Sequence, residues 1–406
     1  MDLLENPIKA YAWGSRRVIA ELLGHPSPSA GPEAELWLGA HPSAPSKLLR
    51  DGGAVSLYDV IRASPAAEIG DDALRAFGPH LPFLMKVLAA DEPLSLQAHP
   101  SSAQAAAGFD REEAAGIPRD AANRNYKDRS HKPELICALT PFDALCGFRA
   151  VADSRALLDA LDVAALAPAR NALDRSPSPV ALRAAFTALM TMPEPQANAA
   201  AHAAVVACAR DVPRFARELA WGRRIGALYP GDIGVALALL MNLVHLKPGE
   251  ALYLPAGNLH AYLDGAGVEI MAASDNVLRG GLTPKYVDVA ELLSILDFND
   301  APVRKTEPRN ATGVAIYDTP TPEFLLSRLT IAAGERVSLE GRGPEILLCT
   351  AGEVALSVAG RRRLALPRGA SAYISADDTE RVVTGVATAS AVFRAEVGRK
   401  ATSERS

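Results

Sequence analysis

The most informative stretch of the chain is Gly249-Glu-Ala-Leu-Tyr-Leu-Pro-Ala-Gly-Asn-Leu-His260-Ala-Tyr-Leu-Asp264. Gly249 turns the chain into the strand-like run that ends at Leu254, and Pro255 with Gly257 makes the next turn, which aims His260 inward. Taken alone, His260 also reads as a histidine hydrogen-bonded within a turn. A second stretch, Ser95-Leu-Gln97-Ala-His99-Pro, sets two donor side chains two residues apart, which on an extended chain puts both on one face. A third, His131-Lys132-Pro133-Glu134, opens a strand after a polar loop and offers a carboxylate, although Glu134 is also readable as a solvent-facing strand residue. Two imidazoles, one amide oxygen and one carboxylate suit Zn²⁺. With a single anionic ligand such a site keeps net positive charge and an open position for substrate, whereas a structural zinc favours a closed, thiolate-rich shell.

Working outward, short apolar runs broken by Gly and Pro occupy the chain up to about residue 150, among them Glu35-Leu-Trp37-Leu-Gly, Pro82-Phe-Leu-Met-Lys86-Val-Leu and Glu134-Leu-Ile-Cys-Ala-Leu, and read as strands. From about 152 to 222 the texture changes to Ala, Leu, Arg and Asp at helical spacing. A short apolar helix is expected after Asp232, and strands resume at Val244, Ala251 and Val268. Beyond a Pro- and Asn-containing stretch near 299–322, alternating runs such as Ile346-Leu-Leu-Cys, Val354-Ala-Leu-Ser-Val and Ser371-Ala-Tyr-Ile, separated by Gly turns, predict a small all-β sandwich. The polar segment 399–406 is expected to be frayed.

At 406 residues the chain exceeds one compact core, so two or three domains are expected. An apolar content of 49% with 22% charged residues places it among ordinary soluble proteins. A net charge of −5 and only 5% aromatic residues leave no footprint for nucleic acid, while a small anion met by a few local cations remains open. Cys137, Cys146, Cys208 and Cys349 lack CxxC spacing and sit in apolar runs, which predicts buried structural thiols. The start, Met1-Asp-Leu-Leu-Glu, has neither a basic nor an apolar leader region, and no run reaches the about 18 apolar residues of a membrane helix, so a cytoplasmic protein is expected. A monomer is mildly preferred.

The spacing Gly249-x5-Pro255-x-Gly257-x-x-His260 resembles the second motif of the cupins, with Asp264 where Asn is usual and Gln97 in place of the first His of the other motif. That resemblance implies a mainly β fold of jelly-roll β-sandwich domains with an α-helical insertion. It divides the chain into a discontinuous catalytic cupin domain (1–151 and 226–310), the insertion (152–225), and a C-terminal degenerate cupin-like domain (311–398). All eight histidines lie at or before His260, so the last domain cannot repeat a histidine metal site. His25, His41, His80, His202 and His245 have no partner motif and read as turn or core residues.

Gln97-Ala-His99-Pro, His131-Lys132-Pro133-Glu134, the turn before His260, and Ser274-Asp275-Asn276-Val-Leu-Arg279-Gly-Gly-Leu-Thr-Pro-Lys285-Tyr together resemble the type I mannose-6-phosphate isomerases; the likeness runs from Tyr11-Ala-Trp13-Gly14 to about Phe298. It implies a zinc-dependent aldose–ketose isomerase that interconverts mannose 6-phosphate and fructose 6-phosphate and feeds mannose-nucleotide synthesis. By the same resemblance Gln97, His99, Glu134 and His260 are the zinc ligands and Arg279 is the active-site arginine. The reaction removes a proton beside a carbonyl, stabilises an enediol(ate) and returns the proton to the neighbouring carbon. His131, Lys132, Glu269 and Asp275 are the candidates to move it, with Lys132 and Asp275 favoured and His131 assigned to ring opening. Arg279, Lys86 and Lys285 are the candidate phosphate cations. Lys86 within its apolar run needs a partner if buried, and also reads as a strand lysine facing water. Trp13 and Tyr262 either wall the pocket or belong to the core. The Gln ligand argues against a cupin dioxygenase, and the retained His131, Lys132, Asp275 and Arg279 argue against a binding protein that has lost its chemistry.

Overall fold

The computed structural model describes residues 1–50, 52–311, 313–341 and 343–398. The expected frayed tail, 399–406, therefore lies outside the described residues. Three sheets carry the chain: one of ten strands, one of nine and one of four.

The ten-stranded sheet is organised by the 13-residue strand His260–Ala272. Toward its C-terminal end this strand pairs antiparallel with Phe83–Ala90 on one side and Glu134–Ala138 on the other; toward its start it pairs with Phe142–Phe148 and touches Leu96–Ala98. Side chains alternate across each strand. Leu88, Ala90, Ile136, Ala138, Cys146, Leu252 and Tyr262 thus meet as one buried cluster inside the sheet. The opposite faces of Phe83, Met85, Val87, Leu135 and Val268 pack in a second core with Leu4, Tyr317, Leu348 and Phe393 of the nine-stranded sheet. Leu329, Leu347, Leu356 and Val383 fill a third core beneath the four-stranded sheet.

Two features depart from the sequence reading. The strands Asp2–Glu5, Lys47–Arg50 and Gly53–Ser56, expected with the N-terminal β region, form the end of the nine-stranded sheet otherwise built from residues 309–396. Alternation identifies a strand but not its partner, so this crossover was not visible. Helices also stand where only strands were read: Leu57–Ala63, Pro65–Ile69, Asp71–Phe77 and Ser102–Ala114. The last begins with a capping box, Ser101 accepting from the Gln104 N–H while Gln104 reaches back to Ser101.

Helices from Val151–Leu161 to Gly234–Ala238 fill the chain between the strands Phe142–Phe148 and Met241–Leu246, which pair with each other from Phe142↔Leu246 to Met241↔Phe148. The helical segment therefore leaves and re-enters at one point of the sheet. Its apolar stripes, including Leu161, Leu182, Phe186, Leu219 and Ile225, form a core with Leu145 and Phe148. No helix among the described residues is long and apolar enough to cross a membrane.

Candidate active site

Strand register places the polar side chains that interrupt these apolar runs. Gln97 lies opposite His260 on one side and Arg279 on the other, which sets the three in one row across the sheet. A second row runs Trp37–Lys86–Glu269. Glu134, two residues from Ile136, which pairs with Glu269, shares the face of that row. The turn that delivers His260 requires Gly257: its φ is +77°, and a Cβ there would sit 2.9 Å from the Ile295 carbonyl oxygen.

His99, Glu134 and His260 converge, all buried. His99 Nδ1 lies 2.7 Å from the carbonyl oxygen of Asn276, and His260 Nδ1 lies 3.1 Å from that of Asn258. A carbonyl only accepts, so both rings carry their proton on Nδ1 and present a bare Nε2. Both bare nitrogens face the same oxygen, Glu134 Oε2, at 3.3 and 3.4 Å. Lone pairs aimed at a carboxylate repel, and His99 Nε2 is buried without a hydrogen-bond partner. Burial also lowers the His99 pKa to about 4, which keeps the ring neutral. A divalent cation between the three groups removes the conflict, and the Nδ1–carbonyl bonds are the outer support that metal-ligating histidines need. Gln97 borders the same recess, its Nε2 donating to Ser95 Oγ at 3.0 Å, which leaves its amide oxygen available.

This recess, of about 80 Å³, is lined by Gln97, Glu134, His260, Tyr262 and Glu269. Through Glu35, Lys86, Leu94, Ser95, Gln97 and Lys132 it shares walls with a cavity of about 540 Å³. Lys86 is buried between Glu269 at 3.2 Å and Glu35 at 3.6 Å. Burial opposes its charge, but the two carboxylates hold its pKa above the ordinary lysine value. Burial raises the Glu269 pKa, with Lys86 working against the rise. Tyr262 donates to Glu269 Oε1 at 2.7 Å, so it is both core and recess wall. Lys132 Nζ stands 3.1 Å from Glu134 Oε1. Burial opposes ionisation of Glu134, yet the Lys132 ammonium keeps its carboxyl well below the ordinary range.

The larger cavity brings together Trp13, Lys86, Gln97, Lys132, Asp275, Arg279 and Lys285 of the residues singled out by sequence. Next to Trp13, Gly14 bridges to Ala90 and also packs so closely on Ala34 that a Cβ would lie 2.5 Å from the Ala34 nitrogen. Arg279 and Lys285 have no ion-pair partner among the described residues; burial lowers the pKa of both, and for Lys285 the neighbouring Arg279 and Lys127 add to the effect. Cations packed together and partly dehydrated favour an anionic ligand.

His131 is the exception. It lines a separate cavity of about 260 Å³ with His80, Arg129 and Glu323, and its Nε2 lies 2.7 Å from Glu323 Oε1. Alternation supplies the reason: Lys132 and Glu134 share a face, so His131 points the other way. His131, expected to open the sugar ring, is therefore not brought to the cavity that holds Lys132 and Asp275. Lys86, expected to bind phosphate, stands in the wall shared by the recess and the larger cavity and is compensated by two carboxylates.

Three cavity residues escaped the sequence reading. Glu35 pairs with Lys86 and accepts from Trp37 Nε1 at 2.7 Å. His41, read as a turn or core residue, lies 3.3 Å from Asp275. Lys127 lines the cavity from the polar loop before His131. Only Lys127 carried a signal, as a cation in a loop flanked by motif residues. The four cysteines are free and buried, as expected.

Residues 1–151 match the family model for the catalytic domain of type I phosphomannose isomerase. Mannose-6-phosphate isomerase of Escherichia coli (strain K12) is 40% identical over 390 residues, covering 95% of this chain and 97% of the relative. That of Rattus norvegicus is 32% identical, covering 96% of each chain. A zinc-bound crystal structure of mannose 6-phosphate isomerase superposes with a TM-score of 0.87 at 38% identity, covering 98% of this chain and 99% of the other.

Proposed function

Because this chain belongs to the type I mannose-6-phosphate isomerase family, we propose that it interconverts mannose 6-phosphate and fructose 6-phosphate through an enediol(ate), with zinc held by Gln97, His99, Glu134 and His260. The observation that carries this reading is the division of one cavity into two kinds of wall. Metal-ready donors stand in its recess, and Arg279, Lys285 and Lys127, which do not border the recess, line the rest.

Zinc held by these donors would supply a Lewis acid for the sugar oxygens. The chain's own residues supply the remainder. Arg279, Lys285 and Lys127 hold the phosphate, Arg279 through its planar fork. Trp13 walls the sugar and excludes water. The proton on C2 of the open-chain aldose passes to a base and returns to C1, while a proton moves from O2 to O1. Asp275, whose interaction with His41 keeps its carboxyl below the ordinary value, is ionised and therefore in the form that can take the proton. Lys132, across the cavity wall, is the partner proposed to hydrogen-bond the enediolate oxygens. Lys86 and Glu269 act on the sugar side of the recess.

One long strand, His260–Ala272, pairs with four others beside an apolar cluster, and this supports reading the ten-stranded sheet as a cupin jelly roll, with 152–225 as a helical insertion and 311–398 as a degenerate cupin-like unit. A cytoplasmic, monomeric enzyme that feeds mannose-nucleotide synthesis completes the proposal. The test is a coupled assay for fructose 6-phosphate formed from mannose 6-phosphate on metal-stripped protein with and without Zn²⁺. Activity restored by zinc supports the reading; activity untouched by stripping discards the metal site, and absence of activity in both states discards the reaction.

A further inference from the structure

His41 stands beside a carboxylate that has no other side-chain partner among the described residues. Its Nε2 lies 3.3 Å from Asp275 Oδ1, the only hydrogen bond or ion pair made by that carboxylate among the described residues. On the other side of the ring, Nδ1 lies 3.2 Å from the backbone nitrogen of Ser43 and 2.8 Å from its Oγ. A backbone N–H only donates, so Nδ1 is bare and the proton sits on Nε2, the ring nitrogen that stands next to Asp275. The ring is held in turn: Trp37 meets it edge-on at 4.9 Å, and Trp37 is pinned by Glu35. The His41 side chain is 9% exposed, while that of Asp275 is 48% exposed.

Asp275 has somewhere else to go. A second cavity, of about 300 Å³, shares His41, Leu84, Lys127 and Asp275 with the first, so the His41–Asp275 pair forms part of the partition between them. The Asp275 backbone is fixed by its N–H to Asp128 Oδ2 at 2.9 Å, which leaves side-chain rotation as the remaining freedom.

We propose that His41 is a positioning residue for the isomerisation: its Nε2–H holds the Asp275 carboxylate toward the sugar and keeps it from swinging into the second cavity. The proposal rests on the reading of Asp275 as a proton-moving group. His41 acts only through Asp275, which a double-mutant cycle resolves.

His41→Ala lowers kcat about ten- to hundredfold, the scale of an ångström-sized misplacement, with KM for mannose 6-phosphate little changed. In an Asp275→Ala background the same substitution has no further effect on kcat. His41→Gln, whose amide Nε2 occupies the place of the imidazole Nε2, recovers most of the activity, and His41→Asn, whose shorter amide sits where Nδ1 was, does not. Bound zinc and melting temperature are read for each variant; if His41→Ala fails to fold, the contrast between Gln and Asn carries the test. Wild-type kcat in His41→Ala, a full multiplicative loss on top of Asp275→Ala, or equal activity of the Gln and Asn variants overturns the proposal. Wild-type kcat in Asp275→Ala instead removes the reading of Asp275, and the positioning role falls with it.

Discussion

Arg279→Lys separates substrate recognition from folding more sharply than any other change in this cavity. Arg279 stands half-buried beside Gln97 in the short strand Leu278–Gly281, and its side chain makes no ion pair or hydrogen bond among the described residues, so that side chain contributes no pairing to the folded state. Its charge, made costly by burial, is available to a ligand. Lysine keeps the charge but loses the planar fork, hence one of two parallel charge-assisted hydrogen bonds to phosphate. Such a bond contributes about 1.5–3 kcal/mol. At about 1.4 kcal/mol per factor of ten, kcat/KM for mannose 6-phosphate falls about 10- to 150-fold. Stability changes by no more than about 0.5 kcal/mol, the usual range for a side chain without partners. The assay is the coupled isomerase rate over a range of substrate concentrations, run beside a denaturant melt. Wild-type kcat/KM refutes the assignment of Arg279 to the phosphate, and a destabilisation of several kcal/mol shows that it serves the fold instead.

Gln97→Ala and His260→Ala are each expected to lower bound zinc below one per chain, measured by atomic emission after dialysis; unchanged stoichiometry in both removes the ligand assignment. Gly257→Ala forces an alanine to φ +77° with its Cβ 2.9 Å from the Ile295 oxygen, and is expected to destabilise the protein by about 1–3 kcal/mol in thermal melts and to reduce zinc retention by misaiming His260. Burial pushes the thiols of Cys137, Cys208 and Cys349 up to about 11 and that of Cys146 up to about 12, so native protein at pH 8 resists iodoacetamide while unfolded protein reacts at all four sites; rapid modification of the native chain, read by mass spectrometry, contradicts their burial.

How much was legible follows from what local spacing encodes. His260 was readable because a turn signature fixes its direction, and Gln97 with His99 because two residues apart on a strand means one face. The same rule applied to His131 would have set it apart from Lys132 and Glu134, and the structure seats it against Glu323 instead. Lys86 announced only that it needed a partner; that its partners are Glu35 and Glu269 depends on strand register, which a single sequence does not carry. Glu35 and His41 were missed for that reason, each acquiring its place through a neighbour distant in sequence. The helix Ser102–Ala114 carries its signal in the capping box of Ser101 and Gln104, which apolar runs alone do not show. Tertiary choice of partner also explains the nine-stranded sheet, where Leu3 pairs with Ala372.

That last pairing gives the order of synthesis a physical meaning. The partner Lys47–Arg50 of the strand Asp2–Glu5 is synthesised soon after it, but the partner of its other edge, Ser371–Ile374, comes near the end of the chain. At about 5–20 residues per second, the interval on the ribosome is roughly 20–70 s. Throughout it the nascent chain exposes an open strand edge and the apolar face that Tyr373 and Phe393 later cover. The part of the chain that carries Gln97, His99, Glu134 and His260 is thus translated well before one of its supporting cores can close, and chaperone dependence during translation is where the cost of joining the two ends of the chain in one sheet would be paid.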